Sequence, residues 1–250
     1  MPPRPLRQYA MPALLAVFTG LGLVADALTR NPASQAFLGL LSFSALAVAA
    51  WSCEARRRRQ IWLLVLVSTG IELFGSVLWG AYRYRFGNVP LYVPPGHGLV
   101  YLFSLRLAAT PLFVRRFRTM RGLAVAGAVT WTVAGLTLPP HWGWRLDVFG
   151  LICLPIFVGV VLLTPRGPLF VAAFFATSAL EVLGTAVGDW QWAAVTPMVP
   201  IPTGNPPSVI AGLYCCLDAL VLVSYRAVAS SGRRMRQHRA AAALGRSEAV

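Results

Sequence analysis

Apolar residues along this chain gather into blocks at about 10–28, 35–53, 61–81, 98–114, 122–138, 146–164, 168–188 and 207–225, separated by short segments rich in arginine, proline or glycine. Rising about 1.5 Å per residue, each block as a helix covers roughly 30 Å of hydrocarbon. Within the blocks the apolar residues run on without the period-two alternation of a barrel strand, and in lipid only a helix satisfies its own backbone over such a length. The pattern predicts an all-α integral membrane protein with about eight transmembrane helices. It forms a single transmembrane domain over residues 1–225, followed by a basic tail, 226–250.

Charge orients the spans. All 22 basic residues are arginine, and 17 of them fall in the termini and alternate loops: Arg4 and Arg7, Arg56 to Arg59, Arg115, Arg116, Arg118 and Arg121, Arg166, and six from Arg226 onward. The opposite loops carry four, Arg30, Arg83, Arg85 and Arg145. Such asymmetry places both termini, with the tail, in the cytoplasm of a multi-pass protein, expected in a bacterial plasma membrane. A net charge of +14 otherwise suggests nucleic acid, but the spans break up the basic stripe such binding needs, so membrane lipids are the expected partners and nucleic acid is not. The first block, with Arg4 and Arg7 before it and Ala25-Asp26-Ala27 after it, also has the outline of a signal peptide. It is long for one, and its removal leaves an odd number of spans, so it is read as retained.

An internal repeat is visible. Gly80-Ala-Tyr82-Arg-Tyr84 matches Gly188-Asp-Trp190-Gln-Trp192 at an offset of 108 residues, which also carries Pro94 onto Pro202, Gly96 onto Gly204 and His97 onto Asn205. Upstream, a slip of one residue aligns Glu72 with Glu181 and Gly75 with Gly184. The reading is two four-helix repeats, about 10–114 and 122–225, related by an axis along the membrane normal, with both proline-rich loops on the outer face.

Ionisable residues inside spans cost about 2.5–3.5 kcal/mol on insertion scales and mark sites. Glu72 and Arg106 are both expected roughly 12 Å below the outer surface and so within reach of one another. Glu181 sits at a similar depth and Asp218 a little deeper. These acids are expected beneath a lid of Tyr82, Tyr84, Trp190, Trp192, His97 and Asn205. A carboxyl in an apolar pocket can stay protonated and donate while a second accepts, and aromatic faces stabilise a carbocation. The structural alternative is a neutralising Glu72–Arg106 pair that only fixes packing. Asp26, Asp147 and Asp189 lie near interfaces, where solvation is cheap and a structural role leads. Arg83, Arg85, Arg106 and Arg145 together are a weaker phosphate-gripping set. Four cysteines have no zinc spacing and His97, His141 and His238 lie apart, so no metal is expected. Phosphate loops, nucleophile elbows and dinucleotide fingerprints are missing, and no cofactor is expected.

Glu72-x-x-Gly75, Gly80-x-Tyr82-x-Tyr84, Val89-Pro90-Leu91 and Val93-Pro94 together resemble the core of the carotenoid-biosynthesis membrane proteins that include bacterioruberin-type hydratases. That resemblance implies protonation of a long isoprenoid chain with Glu72 as acid; His97 and Arg106 have no counterpart in the pattern. The placement of Glu72 and Asp218 in an early and the last span is also similar to small membrane-bound terpene cyclases. The expected function is thus an integral membrane enzyme acting on a hydrophobic isoprenoid or lipid by carboxylate acid/base chemistry, cyclase- or hydratase-like, with Glu72 as acid and Glu181 or Asp218 as its partner. The competing readings are a small lipid or solute transporter and a non-catalytic subunit of a membrane complex.

Overall fold

The structure, a computed structural model, describes residues 7–139, 145–217 and 219. Among these it is mostly helical: α1 Arg7–Ala27, α2 Pro32–Trp51, α3 Ala55–Glu72, a π-helical turn Leu73–Leu78 continuing α3, strand β1 Tyr82–Tyr84, α4 Val93–Ala108, a short α5 Pro111–Arg115, α6 Phe117–Thr137, α7 Val148–Leu163, α8 Gly167–Val187, and strands β2 Trp190–Trp192, β3 Val195–Thr196 and β4 Ile201–Pro202. A further helical segment runs over 211–217. Asp218, His141, His238 and the basic tail lie outside the described residues.

Among the described residues, four helices are long and apolar enough to cross a membrane: Gln8–Ala27, Pro32–Trp51, Ala55–Leu78 and Gly167–Val187; Val148–Leu163 is apolar but shorter. Their outward faces support that reading. Leu21, Leu40, Val48, Leu66 and Leu78 are each more than 60% exposed, an apolar surface that water would not tolerate and lipid solvates. Inside, Leu46, Ile61, Leu64, Leu99 and Leu102 pack α2, α3 and α4 together, while Phe157 and Phe174 stack with ring centroids 4.7 Å apart between α7 and α8.

The fourth block begins earlier than its apolar run predicts. Pro94 and Pro95 sit in the first turn of α4, where no intrahelical N–H is required, so the helix opens at Val93 rather than near residue 98 and ends at Ala108. Thr110 is extended and Pro111 starts a separate short helix. Arg106 therefore belongs to the last turn of α4 and lies at its arginine-rich end.

The sequence pattern did not announce the strands. β1 and β2 pair antiparallel with Tyr82 opposite Trp192, Arg83 opposite Gln191 and Tyr84 opposite Trp190. Exchanging positions 108 residues apart maps this register onto itself. The one-residue slip in the sequence match also has a physical counterpart. Gly75 to Gly80 is five residues and Gly184 to Gly188 is four, and the extra residue is taken up by the π-helical turn, where the Trp79 N–H donates to the carbonyl of Phe74 at 2.7 Å. α8 ends without such a turn, on Gly188 in the left-handed conformation at φ +80°, which glycine adopts without strain.

Candidate functional site

Glu72 ends α3, immediately before the π turn, and is 5% exposed. Its Oε2 accepts from the Tyr82 hydroxyl at 2.6 Å and the Tyr84 hydroxyl at 2.7 Å, and its Oε1 lies 2.7 Å from Nε2 of His97. Alternation along β1 would send Tyr82 and Tyr84 to the same side of the ribbon, and both phenols converge on one carboxylate oxygen. Burial and the neighbouring Glu72 charge push both phenols well above their ordinary range, so they remain neutral donors.

Glu181, on α8 and 3% exposed, repeats the arrangement with different chemistry. Its Oε2 accepts from the indole N–H of Trp190 at 3.0 Å and of Trp192 at 3.2 Å, and its Oε1 accepts from the Tyr214 hydroxyl at 3.1 Å. An indole N–H can only donate, so that oxygen of Glu181 is held as an acceptor. The two clusters interlock: Tyr82 and Trp192 lie 4.7 Å apart, Tyr84 and Trp190 6.1 Å, and His97 stacks on Tyr214 at 5.3 Å.

The glycine three residues beyond each glutamate explains why Glu-x-x-Gly occurs twice. A Cβ on Gly75 would meet the Tyr82 hydroxyl at 2.9 Å, and one on Gly184 would collide with the Trp190 indole. A residue three on from the glutamate shares its helix face, so removing the side chain there lets the returning strand lay an aromatic ring on the helix and reach the acid.

No family model matches the chain, and no curated protein or solved structure does either.

Both carboxylates line one cavity of about 410 Å³, with the walls supplied by α1, α2, α4, α8 and the 211–217 segment. Apart from the clustered Tyr, Trp, His and Glu side chains the lining is overwhelmingly apolar. Several wall residues, Leu21, Leu41 and Ile71 among them, are also more than 40% exposed, so the cavity opens sideways through the apolar surface. No arginine lines it among the described residues.

The expected Glu72–Arg106 pair does not form. Arg106 Nη2 donates to Ser52 Oγ at 3.2 Å and contacts Cys53 Sγ at 3.6 Å, at the far end of the helices. Nine residues separate it from His97, about 14 Å along α4, and the helix's earlier start is the reason. Nor do the outer arginines form a phosphate grip. Arg85 bonds Asp26 and backbone carbonyls, Arg145 donates to the Trp192 carbonyl at 2.6 Å, and Arg83 is exposed. His97 enters as Glu72's partner and Tyr82, Tyr84, Trp190 and Trp192 as its lid. Asn205 supports the lid from behind, its Oδ1 accepting from the Trp192 backbone N–H at 2.9 Å.

Three acids expected at solvated interfaces are instead buried, Asp26 and Asp189 at 0% and Asp147 at 2% exposure. Asp147 caps α7 and is structural. Its Oδ1 accepts from the backbone N–H groups of Gly150 and Gly204, both at 3.0 Å, and its Oδ2 from that of Ser208 at 2.5 Å, which ties the 203–208 loop to the helix. Tyr214 was not anticipated; the only trace it leaves in the sequence is a hydroxyl-bearing residue within the last apolar block.

Proposed function

We propose that this protein is a multi-pass integral membrane enzyme, with eight spans and both termini on the cytoplasmic side, that transfers protons to and from a neutral isoprenoid or comparable apolar lipid. The observation that carries the reading is that Glu72 and Glu181 share the wall of one apolar, laterally open cavity beneath an aromatic ribbon. The lateral opening suits a substrate that arrives from the bilayer, and the lack of a lining arginine among the described residues disfavours one with a phosphate group. Resemblance of the Glu72–Pro94 stretch to carotenoid-biosynthesis membrane proteins points the same way. The arginine asymmetry, to which Arg106 now adds on the cytoplasmic side, supports the orientation. The self-mapping register of β1 and β2 supports two halves related by a pseudo-two-fold axis.

In this reading the acid is the Glu72–His97 pair rather than Glu72 alone. Two phenols occupy Oε2, so the transferable proton lies between Oε1 and Nε2. A C–H bond forms at one alkene carbon as that N–H or O–H bond breaks, leaving a carbocation beside the faces of Tyr82, Trp190 and Trp192. Glu181 then takes a proton from a neighbouring carbon, or from a water that adds to the cation, giving a cyclase- or hydratase-like outcome. A carrier would need a path to the opposite face, and buried Leu46, Leu64 and Leu102 lie nearer the arginine-rich ends of α2, α3 and α4 than the cavity-lining residues of those helices.

Untargeted lipid mass spectrometry on an isoprenoid-producing host, with and without the protein, tests the proposal. With the wild type a new species is expected, heavier by one water for hydration or an isomer of unchanged mass and shifted chromatographic retention for cyclisation, and it is expected to be lost in Glu72→Gln. A redistribution of lipids with neither a new mass nor a new isomer supports a carrier instead, and continued product formation by a well-folded Glu72→Gln variant overturns the acid assignment.

A further inference from the structure

A second pair of carboxyl groups lies at the arginine-poor end of the molecule, outside the Glu72–Glu181 clusters. Asp26, in the last turn of α1, is fully buried. Its Oδ1 accepts from the Gln35 amide at 3.0 Å and its Oδ2 from the Tyr92 hydroxyl at 3.0 Å, and Arg85 Nη2 lies 3.5 Å from Oδ2. Arg85 also donates to the carbonyls of Ala27, at 2.6 Å, and Asp26, which pins the end of α1 to the segment after β1. Asp189, just before β2, is equally buried, yet neither of its carboxyl oxygens accepts a hydrogen bond from any donor among the described residues. Arg85 brings it beside Asp26, since its backbone N–H donates to the Asp189 carbonyl at 3.0 Å while its guanidinium pairs with Asp26, and the two carboxyls interact. Two buried carboxyls thus lie near one guanidinium, which pairs with Asp26 alone. Among the described residues the other titratable group facing them is the Tyr92 phenol at the start of α4, and the neutral Gln35 of α2 and Thr29 also bond Asp26.

Two adjacent negative charges out of water cannot both persist beside one cation, so one carboxyl keeps its proton. Asp26 already accepts from Gln35 and Tyr92 and pairs with Arg85, while neither Asp189 oxygen has a donor among the described residues, which leaves Asp189 as the acid. Burial and the Asp26 carboxylate, with the bond between them, push Asp189 up to about 8 from an ordinary 3.8, against the pull of Arg85. Tyr92 connects the pair to the site, because its ring lines the cavity while its hydroxyl bonds Asp26.

We propose that Asp26 and Asp189 hold one exchangeable proton between them and that Tyr92 passes it between this pair and the cavity. The step balances on the phenol. Once the shared proton has moved from Asp189 to Asp26 and the phenol O–H has turned from Asp26 toward the cavity, the Tyr92 oxygen accepts that proton as its own O–H bond breaks toward a water or acceptor there, and Tyr92 is left neutral; the reverse step returns the proton. The three residues act as a proton-loading path for the reaction proposed above and rest on that reading for their purpose. Their proton chemistry is measurable without a substrate.

The test is infrared difference spectroscopy on the purified full-length protein in lipid nanodiscs, with exchange into deuterium oxide. Wild-type protein is expected to show a protonated-carboxyl stretch at neutral pH that fades as pH rises through about 8. Asp189→Asn and Asp26→Asn are expected to lose it, while Glu72→Gln keeps it. Tyr92→Phe is expected to keep the band but slow its shift in deuterium oxide several-fold. A band absent from the wild type at neutral pH, or present unchanged in both Asn variants, overturns the pair; unaltered exchange in Tyr92→Phe overturns the relay. The wild-type titration needs no variant to fold. Because the band does not depend on Glu72, its presence or absence is independent of whether Glu72→Gln still makes product.

Discussion

Gly75→Ala tests the link between the Glu-x-x-Gly motif and the state of the acid. The added Cβ would lie 2.9 Å from the Tyr82 hydroxyl oxygen, 3.0 Å from Cε1 and 3.3 Å from Cζ, so the ring must move by several tenths of an ångström. Tyr82 has little room to do so, being packed 4.7 Å from Trp192 and 5.7 Å from Tyr84. Overpacking of this kind costs about 1–3 kcal/mol. Displacing the hydroxyl also breaks its 2.6 Å bond to Glu72, and a hydrogen bond to a charged group is worth about 1.5–3 kcal/mol. The expected destabilisation is therefore about 2.5–6 kcal/mol, read from reversible unfolding of the purified protein in mixed micelles. The decisive comparison is a double-mutant cycle with Tyr82→Phe. Phenylalanine has already lost the hydroxyl and its bond, so Gly75→Ala should cost about 1.5–3 kcal/mol less in that background. Effects that add to within about 0.5 kcal/mol would mean that the new methyl group does not act through the Tyr82–Glu72 contact, and the explanation of the motif would fail.

Asp189 gives a pH signature with a defined sign. Its carboxyl holds a proton up to about 8 in the folded protein against an ordinary 3.8, so the folded state binds more protons over that range. Stability contributed by this group is present at the acid end and lost as pH rises toward 8. Asp189→Asn should flatten that decline in the thermal midpoint, and parallel wild-type and variant profiles would refute it. Asp147→Ala strips an acceptor from three buried backbone N–H groups. At about 1–3 kcal/mol per unsatisfied group it should lower stability by about 3 kcal/mol or more, seen as a lost thermal transition or aggregation on size-exclusion chromatography; a variant as stable as wild type would show that the loop holds itself. Arg106→Ala should cost about 0.5–1.5 kcal/mol and leave any lipid product unchanged, since its partners are Ser52 and Cys53. Loss of product by a folded Arg106→Ala protein would contradict its placement.

The helical membrane character, the arginine asymmetry and the presence of Glu72 and Glu181 within apolar segments are written in the sequence, because burial in lipid leaves a local mark: long apolar runs, charges kept to the loops, and the few acids that break the rule. The internal match at an offset of 108 residues also flagged the aromatic pairs that hold those acids. Tertiary structure decided the partners. Arg106 and His97 lie on one helix, and which of them meets Glu72 turned on where α4 begins, which Pro94 and Pro95 fix and hydropathy does not. The strands escaped notice since three residues of alternation are too few to stand out, although Tyr-Arg-Tyr and Trp-Gln-Trp carry it. Asp26 and Asp189 are 163 positions apart, and they come together because α1 packs beside α8 and Arg85, just after β1, bonds to both residues. A sequence records which side chains are costly to bury; only the packed chain determines which of them share the same proton.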